Sequence, residues 1–371
     1  MLEADWLEPQ SADRALSLPA GCYVDSEFEQ LERAAVFARG WQLVAHAAQL
    51  ANAGDHVVAQ IGNVPLVVVR GESEPRTPQG QLRALHNVCR HRAGPLATCD
   101  GRGARSLVCG YHGWTYALDG QLRGAPEMHD APDFDVGEIR LPSARVAEWQ
   151  GLVFAALDDA GDHDRQEFDA LVAGIDARLA NHRLLTYAFD RRVSYEIRCN
   201  WKVYVDNYLE GYHLPRVHPA LNRLLDYRSY RTELADWYSL QWSPLVSTTG
   251  LYSSSASDGA AEALYWWLWP NTMLNVLPQR LQTNRVVPLD TQRCRVDFDY
   301  YYAPGAAIAE DDRAFADSVQ AEDTAICEAV QRGLASGSYA AGRLNPLRER
   351  GVWHFHQLLR SACRAETARR R

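Results

Sequence analysis

Between residues 25 and 43 apolar positions recur at helical spacing, at Phe28, Leu31, Ala35, Phe37 and Trp41. The pattern predicts an amphipathic helix leading into a first domain. From Val57 onward the chain changes to short β-rich runs separated by turn residues. Val64 to Val69 reads as one strand and Leu152 to Leu157 as another; Trp114 to Leu122 reads as a hairpin with a two-residue turn at Asp119-Gly120. The stretch from Asp158 to Asp169 is rich in Asp and poor in large apolar residues, which places a domain boundary there. Beyond it, periodicity predicts helices over 168–179, 201–212 and 310–334, and strands over 192–197, 264–269 and 295–302. Strands and helices do not alternate regularly, so the fold class expected is α+β rather than a doubly wound parallel sheet.

Composition narrows the function. At 371 residues, with 47% hydrophobic and 23% charged residues, the chain is long enough for two domains of an ordinary globular enzyme. A net charge of −9 argues against a nucleic-acid surface, and the short basic end, Arg364 with Arg369 to Arg371, reads as solvated. No apolar run reaches the roughly 18 residues of a membrane helix, and the first residues lack the plan of a signal peptide. The expectation is a cytoplasmic protein, with no membrane partner, whose eight cysteines stay reduced.

Two of those cysteines have ligand spacing to a histidine. Cys89-Arg90-His91 is followed, after 17 intervening residues, by Cys109-Gly110-Tyr111-His112. Two thiolates and two imidazoles suit either tetrahedral zinc or a [2Fe–2S] cluster in which histidines replace two cysteines on one iron. Zinc fingers present a Cys pair and then a His pair, whereas here each loop carries one of each, which favours the cluster. Gly94, Gly110 and Gly113 permit close backbone approach to it. Cys99 belongs to neither motif.

A second constellation starts at Asn200-Trp201-Lys202. Read as a helix, Trp201, Val205, Tyr208 and Tyr212 form one apolar stripe, and Asp206, Glu210 and His213 another. Pro215 should break this helix, and His218 follows before Pro219. Two histidines five apart across such a break can converge on a metal, and a non-haem iron then needs one carboxylate more. In the helix over 310–334 the apolar face runs Phe315, Val319, Ile326, Val330 and Leu334, and Glu322 and Asp323 fall where it should continue. Periodicity leaves both acids open.

Together these motifs resemble the Rieske non-haem iron oxygenases, as a catalytic alpha subunit. The cluster loops carry the resemblance in the first half; Asn200-Trp201-Lys202, Asp206-Asn207, Glu210, Tyr212-His213 and His218-Pro219 carry it in the second. It extends from about Leu18 to Phe355. It implies an N-terminal segment (1–40) packing on the catalytic domain, a β-rich [2Fe–2S] domain (41–158) and a helix-grip catalytic domain (159–371). It implies cluster ligands Cys89, His91, Cys109 and His112, and Fe(II) held by His213, His218 and, in preference to Glu322, Asp323. Glu210 would bridge the two metal sites of adjacent subunits, paired with His112 of a neighbouring chain, with Asp206 assisting or merely buried. The resemblance further implies a ring-shaped homotrimer and reduction by a separate NAD(P)H-dependent reductase carrying flavin, iron–sulfur or both. No Gly-x-Gly-x-x-Gly follows a strand, so the chain shows no nucleotide site of its own.

The reaction expected is hydroxylation or oxidative demethylation or cleavage of a small molecule with O₂. Cys327-Glu328, Gly333-Leu334, Tyr339, Gly342-Arg343 and Pro346 are most similar to the subgroup acting on choline, betaines and carnitine. Tyr265, Trp267 and Trp269 should share one strand face, with Trp237, Tyr238, Trp242 and Tyr252 upstream. Such aromatics suit a quaternary ammonium cage or an aromatic slot, although sheet core is the commoner use. An aromatic-acid hydroxylase of the same family, or a Rieske electron carrier without oxygenase activity, are the alternatives.

Overall fold

The computed structural model describes residues 4–73, 75, 79–157, 167–246, 250–252, 261–306, 308 and 310–371. Most of the boundary expected at Asp158 to Asp169 lies outside these residues. The chain divides into two compact units, Phe37–Gln166 and Met1–Val36 with Glu167–Arg371.

The smaller unit is built on a six-stranded antiparallel sheet in the order Gln42–His46, Leu152–Leu157, Ser143–Trp149, Leu82–His86, Val64–Arg70, His56–Ile61. The uninterrupted apolar run at Val64 to Val69 has a direct cause: both faces of this strand are buried. Leu66 and Val68 join one core with Val57, Ala84 and Val153, while Val67 and Val69 join another with Leu85, Leu96 and Trp114. A strand covered on both sides has no polar face to alternate with. The second core also contains Cys89 and Cys109, so both thiols sit among packed apolar side chains. A small sheet of Leu107–Val108, Thr115–Tyr116 and Leu122–Gly124 carries the second loop. Its hairpin turn is one residue longer than expected: Gly120 donates its N–H to the Ala117 carbonyl and takes φ +88°. A left-handed glycine closing a type I turn is the usual three-residue solution.

The larger unit is a seven-stranded antiparallel sheet in the order Ala188–Ile197, Arg293–Tyr302, Arg280–Asp290, Thr272–Leu277, Glu262–Leu268, Tyr238–Pro244, Arg231–Leu234. Helices Trp201–Tyr208, Glu310–Ala335 and Arg350–Arg369 accompany it, which matches the α+β expectation. Phe355 of the last helix packs edge-on against Trp267, ring centroids 5.3 Å apart, and against Trp201 at 5.5 Å. No helix among the described residues is long and apolar enough to cross a membrane.

Three helix expectations need correction. The N-terminal helix spans only Ser26–Glu32, followed by a π turn at Arg33–Phe37, and strand geometry begins at Gln42. The helix expected over 168–179 is two short ones, Phe168–Val172 and Ile175–Leu179, parted by Gly174 at φ +83°; a left-handed residue interrupts the hydrogen-bond ladder. The long helix is as expected in extent, but its buried stripe is Gln320, Cys327, Gln331 and Leu334, and Val330 is exposed. Phe315, Val319 and Ile326 are half-buried because they face cavities rather than sheet.

The N-terminal residues serve the catalytic unit. Glu32 and Lys202 are both fully buried and form an ion pair of 2.6 Å, with Lys202 enclosed by the rings of Tyr23, Phe28 and Trp201. Removing one partner of such a pair strands a charge, at a cost of about 3–5 kcal/mol. Lys202 of the Asn-Trp-Lys motif is thus an anchor for the chain's beginning.

Candidate metal centres

The two loops of the smaller unit repeat one backbone design. Cys89 donates its N–H to the Gly94 carbonyl (2.9 Å) and accepts from the Ala93 N–H (3.0 Å); Cys109 donates to Trp114 (2.9 Å) and accepts from Gly113 (2.9 Å). The residue four after each cysteine is left-handed, Ala93 at φ +59° and Gly113 at φ +74°. Gly94 is required for a different reason: a Cβ there would lie 2.9 Å from the Cys109 sulfur. Asn87 braces the first loop, accepting from the N–H groups of Leu96 and Ala97 and donating to the Ala97 carbonyl.

The four candidate ligands differ sharply in exposure. Cys89 and Cys109 are buried, whereas His91 and His112 are exposed, their ring centroids 4.6 Å apart. His91 stacks on Trp114 with an interplanar angle of 8°. The Tyr116 hydroxyl sits 3.3 Å from the Cys89 sulfur and accepts from the Arg90 N–H. A donor set with thiols inside and imidazoles at the surface fits a [2Fe–2S] group whose outer iron faces solvent. Cys99 is exposed and remains outside the set.

In the larger unit the helix carrying Asp206 and Asn207 ends at Tyr208, capped by Leu209. Glu210 and His213 are therefore not on its face, which corrects the helical reading. The chain turns at Gly211, where a Cβ would meet the Tyr230 ring at 2.7 Å. Glu210 folds back over this turn: Oε2 accepts the N–H groups of Tyr212 and His213, and Oε1 lies 2.6 Å from His213 Nδ1. Pro215 does not break a helix; it sits in the first turn of a new one, Leu214–Val217. There its missing N–H costs nothing. His213 and His218 flank this single turn, and Pro219 starts the next, Pro219–Asn222. One helical turn between them brings the two rings to 5.1 Å.

Asp323, on the long helix, completes the group. The ligand atoms of His213, His218 and Asp323 all lie within 4.8 Å of one another. Asp323 Oδ1 is 2.9 Å from His218 Nε2 and accepts from Asn207 Nδ2 at 2.6 Å. Glu322, the other acid that periodicity leaves open, instead lies 2.7 Å from His218 Nδ1. Burial alone would push the His218 imidazole down, but Asp323 and Glu322 outweigh it and hold its pKa above the ordinary value. Two imidazoles among anionic oxygens form a donor set that suits a divalent cation, and the 2-His-1-carboxylate composition fits non-haem iron.

Asp206 lies outside this group. It accepts from the Tyr23 hydroxyl (2.6 Å) and pairs with His356 Nε2 (2.9 Å). The contacts made by Asn207, Tyr23, His356 and Glu322 are not legible in the sequence. Hydrogen bonds between residues 100 or more positions apart leave no local signal.

A cavity of about 120 Å³ adjoins the triad. Its walls include Tyr208, Tyr230, Tyr252, Tyr265, Phe298 and Phe315. Of the aromatics singled out above, Tyr252 and Tyr265 line it; Trp267 and Trp269 pack with Phe355, and Trp242 bonds to Glu233. A second, wider cavity of about 630 Å³ is lined by Tyr23, Asp206, Tyr339 and His356. Asn207, Glu210 and His213 line both.

Known proteins share this arrangement. Residues 40–139 match the Rieske [2Fe-2S] domain, and residues 184–365 match the ring hydroxylating alpha subunit (catalytic domain). The chain is 37% identical to the chloroplastic choline monooxygenase of Arabidopsis thaliana, across 94% of this chain and 83% of that protein. It is 30% identical to the carnitine monooxygenase oxygenase subunit of Escherichia coli (strain K12), across 96% and 98%. The crystal structure of the quaternary ammonium Rieske monooxygenase CntA in complex with L-carnitine superposes with a TM-score of 0.81 at 26% identity, covering 97% of this chain and 99% of that one. With both halves matched and relatives aligned along nearly its whole length, this chain belongs to the Rieske non-haem iron oxygenases, as a catalytic subunit that works with a [2Fe–2S] cluster and a non-haem iron.

Proposed function

We propose that this oxygenase acts on a small quaternary ammonium compound, hydroxylating it or cleaving a C–N bond, with two electrons from NAD(P)H delivered through a separate reductase. In balance, R–H, O₂, two electrons and two protons give R–OH and water. Hydroxylation at a carbon bonded to the cationic nitrogen gives a carbinolamine that falls apart into an amine, an aldehyde and a proton.

The observation that carries the reading is the small aromatic cavity against the triad. Its volume, about 120 Å³, is near the ~150 Å³ of a cavity that holds benzene, and it suits a compact substrate better than a fused ring system. The rings of Tyr208, Tyr230, Tyr252 and Tyr265 line the cavity and suit a desolvated cation, a cation–π contact being worth about 0.5–2 kcal/mol. The choline and carnitine monooxygenases among the relatives point to the same chemistry.

Within that site His213, His218 and Asp323 would hold iron, and Cys89, His91, Cys109 and His112 the cluster. Bound there, the iron supplies reductive activation of O₂ and the cluster supplies electrons singly. Glu210 holds Nδ1 of His213 and Glu322 holds Nδ1 of His218, which leaves both Nε2 lone pairs for the metal and fixes the rings. Asn207 orients Asp323. Glu210 also lines the wide cavity, from which it would meet His112 of a neighbouring chain in a homotrimer and pass electrons between subunits.

The test is substrate-dependent NAD(P)H oxidation by the oxygenase with a Rieske-system reductase, screening quaternary amines against aromatic acids. Turnover confined to quaternary amines with stoichiometric O₂ uptake is the expected result. Turnover of an aromatic acid alone would overturn the reading.

A further inference from the structure

The cavity floor is a row of alternating positions on the strand Arg280–Asp290. Arg280, Gln282 and Asn284 all face the cavity, as a strand requires of residues two apart. Across the sheet, Gln282 stands opposite Asn275, which stands opposite Tyr265. Two of these polar groups have unused capacity. Arg280 is 4% exposed, and its Nε has no hydrogen-bond partner among the described residues. The buried Tyr265 hydroxyl has none either.

Among the described residues no carboxylate forms an ion pair with Arg280; burial disfavours its charge, and the phenols of Tyr252, Tyr302 and Tyr300, rather than an acid, offset that. Its guanidinium carbon lies 5.7 Å from the Tyr252 ring centroid. The acids lining the cavity, Glu210 and Asp323, are committed to His213, His218 and Asn207. A buried guanidinium without an anion is costly, and the cost falls when a ligand supplies the anion. A substrate carrying only a positive charge would do the opposite and place two cations in one dry space.

We propose that Arg280, with Tyr265 beside it, is an anion subsite that selects substrates bearing a carboxylate in addition to the quaternary nitrogen. The substrate is then a zwitterion of the betaine type, and a trimethylammonium alcohol is a poor ligand. This rests on the quaternary ammonium reading above and deepens it.

The experiment is calorimetric binding to the iron-loaded, cluster-containing protein without reductase. The probes are glycine betaine and γ-butyrobetaine, the trimethylammonium alcohols of the same chain lengths, and the tert-butyl carboxylates in which carbon replaces nitrogen. Wild-type protein should bind at least one betaine about tenfold or more tighter than its alcohol, as charged hydrogen bonds allow. Arg280→Gln should erase that margin by weakening the betaine while leaving the alcohol bound as well as before or better, and Arg280→Lys should restore part of it. Alcohols binding as well as the betaines, no binding of either betaine, or an equal loss for both classes in Arg280→Gln would overturn the subsite. Should tert-butyl carboxylates bind as tightly as the betaines and depend equally on Arg280, the subsite stands and the quaternary ammonium reading falls.

Discussion

The two metal centres are assembled by opposite strategies. The cluster loops are held by backbone: the same pair of main-chain hydrogen bonds and the same left-handed residue occur after Cys89 and after Cys109. The candidate iron ligands are aimed by side chains instead: Glu210 orients His213 from three residues away, while Glu322 and Asn207 reach His218 and Asp323 from more than 100 positions away. A cluster that must accept and release single electrons gains from a rigid cradle that does not reorganise. An oxygen-activating iron must keep open positions, so few protein atoms hold it and neighbouring polar side chains must aim them. The first site should therefore fail all at once, and the second by degrees.

Substitutions arranged from the largest effect to the smallest test this contrast. Cys109→Ser should abolish the cluster's visible absorption and its signal in the reduced EPR spectrum, while mononuclear iron still binds; a normal cluster spectrum would break the comparison. Asp323→Ala should empty the mononuclear site and leave the cluster spectrum unchanged, read by iron analysis and EPR. Glu210→Gln should keep both metals and slow turnover by roughly tenfold or more, since it alters a carboxylate that both orients His213 and faces the wide cavity. Full turnover with intact metals would remove the electron-transfer role. Glu322→Gln should weaken iron affinity by about tenfold, at the low end for such supporting partners, because Glu322 is partly exposed and water can replace it. Metal competition titration reads this last effect.

The same contrast explains what could be read from sequence. The proposed cluster ligands lie between residues 89 and 112 and are set by local turns, so their spacing and order are legible in the sequence. The apolar run at Val64 to Val69 was legible as a strand because a doubly covered strand is apolar throughout. For the second site, His213 and His218 stand out as a pair, but the apolar stripe carries the expected helix through Glu210 to Tyr212 and makes Pro215 its stop. The apolar stripe suggests helix there, but Gly211 is a poor helix former, and its close packing on Tyr230 and the carboxylate of Glu210 over the turn end the helix. Periodicity could not separate Glu322 from Asp323 because both lie near one face of the helix; only the position of His218 between them does. Arg280 carried no signal at all, since an arginine at the start of a strand is ordinary until the strand's inner face proves to be a cavity floor.

The central claim, that one chain holds a cluster in one unit and an iron at His213, His218 and Asp323 in the other, is tested most directly by counting metal. Iron and acid-labile sulfide should be measured on anaerobically purified protein and on Asp323→Ala, with an EPR spectrum of each after reduction. The account predicts three irons and two sulfides per chain for the wild type, two from the cluster and one mononuclear. For Asp323→Ala it predicts two irons and two sulfides with an unchanged low-average-g signal. Three irons retained in Asp323→Ala, or a cluster signal lost with it, would contradict the account.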